Sequence, residues 1–165
     1  MPGAAPITME KLAERLPAGR PLIGLDVGTR TIGIAVSDRR RQIASPRETI
    51  RRGKFAQDAA RLLAIAAEDE AAAIIVGLPI NMDGTEGPRA QSTRAFARNL
   101  ARLTDLPIAF WDERLSSAVV ERMRVEADRS RARRAEIVDK LAAAYILQGA
   151  LDRLARIAES RGAGT

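Results

Sequence analysis

Two short runs of Ile, Val and Leu, split by a glycine-containing turn, stand out in the hydrophobic pattern. They are Leu22-Ile23-Gly24-Leu25-Asp26-Val27 and Thr31-Ile32-Gly33-Ile34-Ala35-Val36-Ser37. The pattern predicts a β-hairpin, with strand one over 22–27 and strand two over 31–37. A third strand is expected around Gln42 to Ile50, where Pro46 removes a ladder donor and favours a sheet edge. A helical repeat follows from about Phe55 to Glu68, with Leu62, Leu63 and Ile65 toward the core. Ala72-Ala73-Ile74-Ile75-Val76-Gly77 is apolar throughout, the mark of a buried parallel strand. A second helix is expected over about Pro88 to Leu103, with Phe96, Leu100 and Leu103 as its apolar stripe, and Pro107 to Trp111 makes a fifth strand. Ser116 or Ser117 is placed to cap a helix running to about Ala127. A last helix from about Ala135 to Ala158 turns Ile137, Leu141, Ala144 and Leu151 inward. Residues 1–19 are Pro-, Gly- and Ala-rich around a short amphipathic stretch from Thr8 to Leu16, and are expected to form a loose or disordered extension. Residues 160–165 are expected to be a flexible tail.

The order β-β-β-α-β-α-β-α-α predicts an α/β fold: one RNase H-like domain over 20–159, with a five-stranded mixed sheet of order 3-2-1-4-5 flanked by helices. Acids placed after the C-terminal ends of neighbouring strands in such a sheet converge on one crevice. Asp26 near the end of strand one and the Asp112-Glu113 pair after strand five fall on that side, and Asp139 arrives from the last helix. Converging carboxylates without basic partners repel one another until a cation binds. Asp26 alone supports two readings: a metal ligand, or a carboxylate that caps the Gly28-Thr29 turn through backbone N–H groups.

Composition removes most other chemistries. The 165 residues contain neither Cys nor His, which excludes disulfides, thiolate zinc sites, cysteine nucleophiles and the Ser-His triad. What remains is carboxylates, guanidinium groups, hydroxyls, backbone and a hard metal such as Mg²⁺ bound through oxygen. No apolar stretch approaches a membrane span and the N-terminus lacks the plan of a signal peptide, so a cytoplasmic protein with no membrane partner is expected. Lys+Arg outnumber Asp+Glu by 27 to 21, a formal charge of +6, and the basic residues are Arg except for Lys11, Lys54 and Lys140. Arginine's planar fork suits phosphate oxygens, so a polyanion is the natural partner. Arg94, Arg98 and Arg102 recur every four residues on the second helix, either as a phosphate track or as a solvated face. Arg129, Arg131, Arg133 and Arg134 crowd the stretch before Asp139, where backbone contact with a nucleic acid is the better reading. Arg114 either meets a phosphate or pairs with Asp112. The few aromatic residues occupy core-like positions, which favours recognition of backbone or shape over base stacking.

Four segments carry a resemblance: GLDVGTRTIGIAVSD at 24–38, IIVGLPINMDGTEG at 74–87, WDERLSS at 111–117 and VDKLAAAYILQ at 138–148. In order and spacing they resemble the motifs of the YqgF family, bacterial RNase H-like proteins that are similar to Holliday junction resolvases and are assigned to 5′-end processing of pre-16S rRNA. The resemblance spans about residues 20–152 and implies a metal-dependent nuclease with an acidic site of Asp26, Glu113 and Asp139. It implies two Mg²⁺ (or Mn²⁺) ions, with Asp26 as the shared ligand and Glu113 and Asp139 holding one ion each. Resolvase relatives place their second acid on the fourth strand, where this chain reads Val76-Gly77-Leu78-Pro79, so an acid after the fifth strand must substitute. Asp112 and Glu113 are both candidates for that role. The implied partner is structured RNA, pre-16S rRNA within a pre-ribosomal particle. Two alternatives stand beside it: a four-way DNA junction as substrate, or a non-catalytic nucleic-acid-binding assembly factor. A resolvase acts as a homodimer, whereas trimming of rRNA is compatible with a monomer. The Asp26-Val27-Gly28-Thr29 turn also resembles the first phosphate loop of sugar kinases and actin-like ATPases. Those proteins need two facing domains, and the chain has no second copy of the loop.

Overall fold

The computed structural model describes the backbone of residues 4–115 and 131–163, and the side chains of residues 4–114 and 141–162. Five strands form one sheet: β1 (Leu22–Val27), β2 (Thr31–Ser37), β3 (Ala44–Arg51), β4 (Ala73–Leu78) and β5 (Ile108–Asp112). Their order is β3-β2-β1-β4-β5, as the pattern predicts. β1 pairs antiparallel with β2, and β2 with β3, whereas β4 runs parallel to both β1 and β5. Pro46 lies on the edge strand β3, beside an irregularity at which Ile34 pairs with Glu48 and Ala35 with Pro46. The extra residue, Arg47, turns its guanidinium to Asp69 and Glu68 at the end of α2 (Phe55–Glu68).

The two faces of the sheet are covered differently. α2 and α3 (Pro88–Ala101) pack Leu62, Ile65, Phe96 and Leu100 onto Ile23, Leu25, Ile74, Val76 and Ile108. The opposite face takes the 33-residue α4 (Arg131–Ala163), which packs Ala143, Ile146, Leu147 and Leu151 onto Leu22, Ala35, Ala73, Ile75 and Ala109. Strand alternation makes the two faces separate sets of positions, and each set is apolar until the C-terminal ends of β1, β4 and β5.

Three expectations need correction. The N-terminal segment is not a loose extension among its described residues. Ile7 donates its N–H to the Ile108 carbonyl on the outer edge of β5, Thr8 caps α1 (Met9–Arg15), and Met9 and Leu12 are buried against α4. The segment thereby covers part of an otherwise open sheet edge. Leu103 does not extend the apolar stripe of α3, because the helix ends at Ala101 and leaves Leu103 53% exposed. The last helix extends beyond 135–158 at both ends. The helix expected after Ser116 lies outside the described residues.

Candidate active site

Alternation along β1 puts Leu22, Gly24 and Asp26 on the face covered by α4. A Cβ at Gly24 would sit 2.7 Å from the Leu147 Cβ and 3.1 Å from the Ala143 carbonyl oxygen, so helix and strand touch backbone to backbone there. Asp26 lies one step further toward the C-terminal end of β1, where that contact gives way to the sheet edge. The same parity runs through Ala73, Ile75 and Gly77 on β4 and through Ala109 and Trp111 on β5. Because Leu25 is in register with Val76, and Gly77 with Trp111, Asp26, Gly77 and Trp111 form one row across three strands.

Glu113 follows Trp111 by two residues and opens a 3₁₀ turn over Glu113–Leu115. Its carboxyl group reaches back over β4: a Cβ on Gly77 would lie 2.7 Å from Glu113 Oε1 and 2.5 Å from Ile146 Cδ1. The missing side chain of Gly77 is thus the space the Glu113 carboxyl occupies. There it forms a hydrogen bond with the carboxyl of Asp26. Burial, then the Asp26 charge and that hydrogen bond, push Glu113 from its ordinary 4.5 up to about 7, with Arg89 pulling weakly the other way. Two acids in this arrangement hold one proton between them near neutral pH.

Asp112 behaves in the opposite way. It belongs to the other parity, accepts two hydrogen bonds from Arg114 Nε and a third of 2.7 Å from Arg114 Nη2, and its carboxyl is held below the usual range by that partner. The structure therefore faces Glu113 toward Asp26 and ties Asp112 to Arg114. The Gly28 N–H is taken by the Thr31 carbonyl, so the turn after β1 is closed by backbone rather than by Asp26 at that position.

Of the cations singled out by sequence, Arg94 is clamped by Glu86 at 2.6 and 2.9 Å and stacks over Phe110, with 5.0 Å to the ring centroid. Arg98 is exposed and lines, with Lys11 and Trp111, a cleft of about 620 Å³ beside β5. The backbone positions of Asp139, Arg131, Arg133 and Arg134 belong to α4, but their side chains lie outside the described residues. Among the described residues no group of three acids is assembled. Sequence reasoning passed over two residues at the site. Gly77 makes room for Glu113, and Arg89 lines the cleft of about 310 Å³ that Glu113 floors together with Asn81 and Arg114. Alternation along β5 carries a signal for Glu113 over Asp112, whereas nothing local marks Arg89.

The donor set suits a hard cation: oxygen ligands only, two carboxyls that repel one another once ionised, and a cradle kept open by a glycine. In solved structures the fold recurs in a yeast mitochondrial Holliday junction resolvase, with TM-score 0.56, 9% identity, and 93% of this chain and 87% of that one covered. It recurs too in Thermus thermophilus RuvC in complex with a Holliday junction substrate, with TM-score 0.53, 16% identity, and 82% and 96% covered. At those identities the likeness concerns the fold. Sequence relatives are much nearer. A protein of Nitrobacter winogradskyi is 61% identical over 98% of this chain and 99% of its own length. One from a Bradyrhizobium species is 64% identical, with 90% and 92% covered. Both bear the name "Putative pre-16S rRNA nuclease". The model of the RuvX family, described as Holliday junction resolvase, matches residues 20–153, and it is to this family, the YqgF family of the motif resemblance, that the chain belongs.

Proposed function

We propose that this protein is a metal-dependent nuclease that hydrolyses phosphodiester bonds and processes the 5′ end of pre-16S rRNA in the bacterial cytoplasm. The observation that carries this reading is the half-buried Asp26–Glu113 pair above Gly77, an acidic site with no histidine or cysteine to serve any other chemistry. The names of the near relatives supply the substrate. Asp26, Glu113 and Asp139 are the ligands of one or two divalent ions, Mg²⁺ or Mn²⁺. Asp139 stands four residues before Ala143, whose carbonyl abuts Gly24, so the i, i+4 row of α4 leads to it from the contact beside Asp26. Bound there, the metal supplies an activated water and charge neutralisation at the leaving oxygen.

The protein's own part is positional. Asp26 is fixed in the central strand, and Glu113 is held by the 3₁₀ turn against α4. Glu113 must lose its proton to act as a ligand, and its raised pKa places that loss near neutrality. Asp112 keeps Arg114 at the rim of the cleft rather than on the acid pair. The test is a gel assay of wild type and Asp26→Asn with Mg²⁺, Mn²⁺ or EDTA. It offers a 5′-extended 16S rRNA fragment beside a four-way DNA junction. Metal-dependent cutting of the RNA, lost in the variant, is expected. Paired symmetric nicks in the junction alone would replace the substrate, and binding of either without cutting would replace the enzyme with an assembly factor.

A further inference from the structure

Arg89 is a cation of the Glu113 cleft that the acid site itself does not employ. It sits in the first turn of α3, directly after Pro88, and is exposed. It shares the cleft of about 310 Å³ with Glu113, Arg114, Asn81, Met82 and Pro79. Its charge reaches Glu113, although it forms no hydrogen bond or ion pair among the described residues. Its neighbours are committed: Arg114 to Asp112, and Arg94 to Glu86. The opposite wall is already ordered. Asn81 donates to Thr85 Oγ1 at 3.0 Å, its backbone N–H to the Thr85 carbonyl at 2.9 Å, and Asp83 accepts from both the N–H and the hydroxyl of Thr85.

A guanidinium on a helix beside the Glu113 carboxyl, with no ion-pair partner among the described residues, has one obvious use. We infer that Arg89 binds a non-scissile phosphate of the nucleic acid, one that lies in the cleft between α3 and the β4–α3 loop while its neighbour meets the acid pair. The inference rests on the nuclease reading for the position of the scissile phosphate, but the phosphate contact itself does not require cutting. Arginine suits the task because its fork takes two phosphate oxygens at once and cannot lose its charge to the nearby acids. Arg89 is thus a binding residue that sets where along the strand the acid pair acts.

The test is made in the Asp26→Asn background and in EDTA, so that nothing is cut. Binding of the 5′-extended 16S rRNA fragment and of the DNA junction is followed by anisotropy from low to moderate salt. Removing one phosphate contact reduces the magnitude of the slope of log affinity against log salt by about 1. That reduction is expected for Arg89→Gln, with Arg89→Lys restoring the slope more than the affinity. Arg156→Gln, an exposed change on the far half of α4, is expected to leave the slope unchanged. Melting temperatures of all variants should agree, because Arg89 makes no hydrogen bond or ion pair among the described residues. An unchanged slope for Arg89→Gln, or the same reduction for Arg156→Gln, overturns the inference. If wild-type protein cuts neither substrate yet the slope still falls in Arg89→Gln, the phosphate site stands and the nuclease reading alone fails.

Discussion

Replacing Glu113 by glutamine sets the loss of a proposed metal ligand against the relief of a half-buried charge. Glu113 is held up at about 7 from an ordinary 4.5, chiefly by burial and next by Asp26. Between those two values the folded state binds the proton more tightly than the unfolded chain does. Stability without metal therefore falls as pH rises through that window, and the whole cost is present above about pH 7. At about 1.4 kcal/mol for each tenfold change in proton affinity, the ionised carboxylate costs the folded protein on the order of 3 kcal/mol at pH 8. The amide that takes the place of the carboxyl retains some of the burial penalty, which leaves a gain of about 2 kcal/mol. In a domain of this size that corresponds to a rise in Tm of roughly 4–8 °C. The assay is thermal unfolding of wild type and Glu113→Gln in EDTA at pH 8 and at pH 4. Glu113→Gln is expected to melt higher at pH 8 and level with wild type at pH 4, and to gain far less from added Mn²⁺. A variant that melts lower at pH 8, or that gains equally at both pH values, would refute the reasoning.

Four further outcomes follow from the same geometry. Gly77→Ala places a Cβ 2.7 Å from Glu113 Oε1 and 2.5 Å from Ile146 Cδ1, so cleavage should fall by on the order of 100-fold as the carboxyl is displaced, as measured by initial rates. Gly24→Ala meets the Leu147 Cβ and the Ala143 carbonyl, which cannot turn away, and should cost about 1–3 kcal/mol in chemical denaturation. Asp112→Asn breaks only a half-exposed pair with Arg114 and should change stability by less than about 1 kcal/mol while metal binding, read by calorimetry, persists. Leu12→Ala should cost about 2–5 kcal/mol in urea, because Leu12 is fully buried between α1 and α4; a loss near zero would mean that the N-terminal segment is not part of the core.

The sheet was legible because β1, β2 and β4 are short apolar runs bounded by turn residues, as expected of strands covered on both faces. β1 and β2 fall on the residues expected, and Pro46 marks the edge strand where a missing N–H is harmless. The N-terminal segment misleads through its composition. Pro and Gly suggest disorder, while the apolar positions Ile7, Met9 and Leu12, which decide its packing, are too few to form a pattern of their own. Leu103 illustrates a different failure: the periodicity continues past Ala101 after the helix has stopped.

At the site, Asp26 was legible as a charge inside an apolar strand. The choice between Asp112 and Glu113 was legible in principle, since Glu113 shares the parity of Ala109 and Trp111 and thus faces α4. Gly77 could be noticed as a missing acid on β4, but not as the hollow that admits an acid from β5, because that depends on the 3₁₀ turn folding back. Arg89 gave no sequence signal at all. Among many arginines it is distinguished by its place in the cleft beside Glu113 and by what its neighbours Arg94 and Arg114 are already bound to.

Asp26 and Glu113 are proposed to form one metal site that exchanges a shared proton for a cation. That exchange is tested most directly by titrating Mn²⁺ into the protein by calorimetry near pH 7, in two buffers of different ionisation enthalpy. Metal must displace the proton held by the pair, so binding should release up to about one proton, weaken as pH falls below 7, and vanish in both Asp26→Asn and Glu113→Gln. Binding of equal strength in either variant, or binding that releases no proton, would contradict it.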